Sequence, residues 1–121
     1  MRLSLYVCLL ISLPSSLLAQ GNYVANTPNS ASPGTFNTLV GPGAGAAGPI
    51  TGDRNTITGY NAGLVLTSGK WNTFNGVDAG RFTTTGSYNT FIGQESGLYN
   101  TTGSANAYLG RGAGYSNSTG S

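Results

Sequence analysis

Histidine is absent from the 121-residue chain, and its only cysteine and only methionine, Cys8 and Met1, precede Gly21. Charge is scarce too. From Gly21 onward four cations (Arg54, Lys70, Arg81, Arg111) face three acids (Asp53, Asp78, Glu95), a balance of +1. That leaves no basic footprint for nucleic acid and no acidic tail. Without a thiol, an imidazole or a serine in a nucleophile motif, the usual nucleophile–base pairs cannot be assembled. Disulfides cannot hold this stretch together either. No apolar run recurs at helical spacing, which argues against a helical domain. The expectation is a non-enzyme with no catalytic residue, cofactor or metal, held by backbone pairing, burial or association.

The first twenty residues, MRLSLYVCLLISLPSSLLAQ, differ from the rest. Arg2 is a short charged start, Leu3 to Leu13 an apolar run, and Pro14 precedes Ser15 to Ala19. This layout predicts a signal peptide over 1–20, cut after Ala19 or Gln20, and a secreted or cell-surface location. The run is too short to span a bilayer, so no membrane span is expected in the mature chain. Residues 21–33, GNYVANTPNSASP, read as a flexible leader.

Of the 20 glycines, 19 follow this leader, and most of them are periodic. Copies begin at Gly34, Gly52, Gly69, Gly86 and Gly103; the first is 18 residues long, the next four are 17, and a sixth opens at Gly120. The shared pattern is G-x-x-N-T-φ-x-G-x-x-A-G-x-x-x-T-T, with φ a large apolar residue. Asparagine keeps its place as Asn37, Asn55, Asn72, Asn89 and Asn106. The mid-copy glycine is Gly41, Gly59, Gly76, Gly93 and Gly110. The apolar place holds Leu39, Ile57, Phe74, Phe91 and Tyr108, and the small place Ala44, Ala62, Ala79, Ser96 and Ala113. An ending inside a copy predicts that the chain is a fragment.

Such a period is too short for a helix pair, a propeller blade or a horseshoe repeat. It suits an all-β fold, a β-solenoid or β-roll of 17-residue coils over 34–121. Each coil is expected to carry two short strands. One is N-T-φ-x, rich in residues that favour strands; the other follows Ala-Gly, as in Leu64-Val65-Leu66 and Arg81-Phe82-Thr83. Copies stacked about 4.8 Å apart turn each column into a ladder of like side chains. Asparagines would then bond from rung to rung, and the φ column would supply an apolar stripe. A coil this thin gains little from burial alone. Neighbouring chains are therefore expected to cover the remaining apolar faces, with three parallel chains as the leading arrangement.

Blocks such as GSYNTFIGQESGLYNTTG and ITGYNAG resemble the Asn-Thr-Phe-Gly repeats in stalks of bacterial surface fibres and tail-fibre-like proteins. More distantly they are similar to the head repeats of trimeric autotransporter adhesins. The resemblance covers roughly Gly34 to Ser121 and implies a parallel β-roll in a homotrimer. It also implies an adhesive role, with a cell-surface or polysaccharide target reached through a tip. Only three residues separate Asn89 from Gly93 here, where the adhesin head has four and a shorter repeat.

Other stretches carry less. Gly43-x-Gly45-x-x-Gly48 has a dinucleotide spacing, but Pro49 follows it and Gly63 stands where the acid should be. Asp78 and Glu95 share a column and read as solvated turn residues. Phe36, Arg54, Trp71, Tyr88 and Ala105 share another, read as a cross-rung cation–π ladder. Its alternative reading is a sugar-binding strip made of Arg54, Trp71 and Tyr88. Asp53 and Lys70 are an expected exposed pair. Thr38, Thr56, Thr73 and Thr90 form a file that could order ice, yet its neighbouring file repeats threonine only at Thr58. The alternative function is thus a monomeric solenoid binding ice or polysaccharide along one face. Asn100-Thr101-Thr102 and Asn117-Ser118-Thr119 match the glycosylation sequon.

Overall fold

The computed structural model describes residues 34–121; the signal-peptide and leader readings fall on 1–33, outside the described residues. Five three-residue strands recur at the repeat period: β1 (Thr38–Val40), β2 (Thr56–Thr58), β3 (Thr73–Asn75), β4 (Thr90–Ile92) and β5 (Ala107–Leu109). They form one parallel sheet in the order β1-β2-β3-β4-β5. Register follows the repeat, so that Leu39, Ile57, Phe74, Phe91 and Tyr108 are Cα partners in turn. The described chain is an all-β parallel solenoid whose coil is one sequence copy.

Strand alternation explains the placement of these residues. The first residue of each strand faces solvent, and the middle one faces the interior. Ile57, Phe74 and Phe91 are fully buried, with the end members Leu39 and Tyr108 packed against them. Phe74 and Phe91 stack at 5.0 Å and 6°, and Phe91 and Tyr108 at 5.0 Å and 11°. Buried Ala44, Ala62, Ala79 and Ser96 line the interior beside them. A further interior position changes from Leu66 to Thr83 and Asn100, whose Oγ1 and Oδ1 are buried without partners.

Two features differ from the sequence reading. The stretch after Ala-Gly is not a strand. Residues 60–65 and 77–82 run as consecutive turns, closed by bonds such as Leu64 N–H to Asn61 O (3.3 Å) and Leu66 N–H to Gly63 O (3.0 Å). The reason is backbone sign. Gly97, for example, sits at φ 61°, and a Cβ there would lie 2.5 Å from the Phe91 ring. A chain that reverses φ at such a position cannot stay extended. The turns still bond between coils, as in Phe82 N–H to Leu98 O at 3.0 Å.

The second difference concerns burial. The coil was expected to gain little from burial, yet Ile57, Phe74 and Phe91 are fully covered within one chain. Fully burying an Ile or Phe side chain contributes about 1.5–3 kcal/mol, so a thin coil still gains usefully from one large residue. Phe91→Ala is expected to cost about 3–5 kcal/mol, because it removes the middle plate of the stack. Thr90→Ala, one residue away on the solvent side, should cost under about 1 kcal/mol. Thermal melts of the two variants measure this, and similar losses would contradict the core assignment.

Candidate functional site

The asparagine column forms a continuous chain of bonds. Each Oδ1 accepts the backbone N–H of the next asparagine, at 2.8 Å from Asn55 to Asn37 and 3.0 Å for Asn72, Asn89 and Asn106. In three of these four steps the next Nδ2 bonds the same Oδ1, at 3.0–3.2 Å. Each Nδ2 also donates to the carbonyl of the glycine that opens the following copy, from Asn37 to Gly52 (2.8 Å) through to Asn106 to Gly120 (2.7 Å). These opening glycines are required by close approach. A Cβ on Gly69 would lie 2.3 Å from Gly86 O.

The ladder is interior. Asn55, Asn72 and Asn89 are at most 1% exposed, where an unbonded amide would be costly. The mid-copy glycines Gly41, Gly59, Gly76, Gly93 and Gly110 end the strands at φ 114–143°. From Gly59 on, each donates its N–H to the last strand residue of the preceding coil at 2.8–2.9 Å.

The strip of Arg54, Trp71 and Tyr88 stands on the outside. Phe36, Trp71 and Tyr88 are 77%, 48% and 64% exposed. Their rings are stacked plates along the coil axis. The Arg54 guanidinium lies 5.1 Å from the Phe36 ring centre and 4.7 Å from that of Trp71, and Trp71 and Tyr88 are parallel within 8° at 6.4 Å. Rung order thus puts Arg54 on one face of Trp71 and Tyr88 on the other. A sugar that stacks on aromatic faces would find those of Trp71 occupied.

Every residue of this column has a left-handed backbone, from Phe36 at φ 61° to Ala105 at φ 60°. That conformation costs roughly 1–2 kcal/mol per residue. From Arg54 on it aims each N–H at the preceding coil, as in Trp71 N–H to Asp53 O (3.0 Å) and Tyr88 N–H to Lys70 O (2.9 Å), which offsets the strain.

Charged groups are few, and four of them form two ion pairs. Asp53 accepts the Thr35 N–H at 2.9 Å and its hydroxyl at 3.2 Å, and lies 3.8 Å from Lys70 Nζ. The Thr35 N–H, helped by the hydroxyl, Lys70 and Arg54, holds the Asp53 carboxyl below the usual range, against a smaller desolvation effect. Arg81 reaches Asp78 at 3.3 Å. Glu95 shares the Asp78 column at a similar positive φ, but no group of three metal-ligating side chains converges among the described residues. The sequon asparagine Asn100 is buried with its Nδ2 bonded to Gly103 O at 3.0 Å. Asn117 is half-buried.

Sequence reasoning assigned no role to the Thr-Thr that closes each copy. Thr51, Thr67, Thr84 and Thr101 each pass a hydroxyl to the carbonyl one coil on, at 3.0–3.3 Å. The signal was the recurrence of threonine at that place. A third aromatic stack, Phe82 with Tyr99 at 5.1 Å and 3°, lies where a second strand was expected.

Asn89→Ala is expected to cost roughly 2–3 kcal/mol, since it leaves the buried Asn106 N–H without its acceptor. Gln94→Ala, at an exposed turn, should stay within about 0.5 kcal/mol. Denaturant melts decide, and equal shifts would contradict the ladder's energetic role.

No family model, curated protein or solved structure matches the chain.

Proposed function

We propose that the chain is a segment of a secreted extracellular fibre, a stalk with an adhesive role at the cell surface built from three parallel chains. The observation that supports this is the repetition of the same bonds at the same columns through all five coils. Such a stack adds length one coil at a time, about 4.8 Å per coil. Its work is mechanical. The backbone bonds between coils resist bending and proteolysis, while the specific contact with a surface or a polysaccharide is made elsewhere in the fibre. In this reading the chain is not an enzyme and uses no cofactor.

One observation favours a second reading, a single-chain solenoid that binds a repetitive ligand along one face. The apolar column is already buried within one chain, so folding does not require neighbours. The exposed file of Thr38, Thr56, Thr73 and Thr90 is the face on which ice would be tested. The occupied faces of Trp71 weigh against stacked sugar along the aromatic strip.

Light scattering on the chain over a range of concentrations separates the two. The fibre reading expects three chain masses at the upper concentrations. One chain mass throughout, together with binding of ice or a polysaccharide, would replace it with the second reading.

A further inference from the structure

The oligomeric rod leaves open which side of each coil meets a neighbour. We propose that the outward face of the five-stranded sheet is the side of each coil that packs against other copies of this chain. The inference deepens the fibre reading and rests on its oligomeric part.

Charge distribution comes first. None of the four cations and three acids of residues 34–121 lies in a strand. They are confined to the turns before and after, where they would rim such a contact and not sit within it. The outward strand positions are instead β-branched or small in the leading file, which runs Thr38, Thr56, Thr73, Thr90, Ala107. The trailing file ends in Ile92 and Leu109, at 40% and 81% exposure. Uncharged β-branched faces on in-register parallel strands interdigitate well when sheets pack about 10 Å apart.

Period then names the occupant. A partner stays in contact over successive rungs only if its own side chains recur at the same spacing of about 4.8 Å. An ordinary globular surface drifts out of step after one or two rungs. A second copy has the required spacing along the same five-strand length.

Area sets the strength. Five rungs of three-residue strands present a strip on the order of 24 Å by 10 Å. That is well below the roughly 800 Å² per partner of a stable interface. Pairing by one five-coil chain is therefore weak and concentration-dependent, and it strengthens with each coil added. A repeat that gains affinity by length is what a fibre requires.

The turn that closes each copy differs in chemistry. Its outward residues Ser68, Thr85 and Thr102 are exposed turn residues without apolar bulk. It supplies the control.

The test is sedimentation of the full chain over a wide concentration range. It is compared with the double variant Thr73→Lys/Asn75→Lys, which sets two cations at the centre of the face, and with Ser68→Lys/Thr85→Lys in the closing turn. All four positions are exposed, and a melt at low concentration checks each fold. The expected result is a wild-type mass that rises to a multiple of the chain. Thr73→Lys/Asn75→Lys should stay at one chain, and Ser68→Lys/Thr85→Lys should follow wild type. Should the lysines lower the melt, Ile92→Ser/Leu109→Ser removes apolar bulk without charge and should weaken association at least tenfold. If the strand-face variants associate like wild type while Ser68→Lys/Thr85→Lys does not, the face is wrong and the oligomeric rod stands. A wild-type chain that stays at one mass throughout overturns both.

Discussion

One asparagine per coil joins the coils of this solenoid. Its carboxamide accepts the main-chain N–H of the asparagine one coil on, and its Nδ2 donates to the glycine carbonyl that opens that coil. A side chain that uses donors and acceptor together can be buried without penalty. Burial is then an advantage, because water cannot compete for the same bonds. The strands on their own are three residues long, too short to define a sheet without help. The ladder fixes their register, and register puts Ile57, Phe74 and Phe91 above one another.

The rest of the coil exists to return the chain to the next asparagine. Residues with positive φ recur two and four places after the mid-copy glycine, as Asp78 and Gly80 do after Gly76 in the third coil. The left-handed column from Phe36 to Ala105 swings the chain into the strand. Its strain is offset by inter-coil N–H bonds and by a stack that uses an arginine where a ring is missing. Local conformations that would be unfavourable in isolation are thus stabilised by repetition. Each coil is held by bonds to its neighbours.

Much of this was legible in the residues alone. The 17-residue spacing, the invariant asparagine and the single large apolar place specify a stacked coil with one interior plate. The second strand was misread because Leu64-Val65-Leu66 has strand composition, while the glycine before it sets φ at 53° and folds the segment into turns. The left-handed aromatic column was hidden because Phe, Trp and Tyr carry no local sign of that conformation; only the bonds to the preceding coil make it favourable. The gain from burial within one coil was underestimated for a related reason. Composition counts apolar residues, whereas stacking two rings at 5.0 Å shields both with one chain.

Amide hydrogen exchange at the ladder asparagines tests the central claim most directly. The N–H groups of Asn72 and Asn89 each end on the preceding carboxamide oxygen. If those bonds hold the coils together, these amides exchange only when the whole stack unfolds. Their rates should match the slowest in the protein and respond to denaturant with the full unfolding slope. Exchange of Asn72 and Asn89 through local opening, as fast as at the exposed turn around Gln94, would contradict the account.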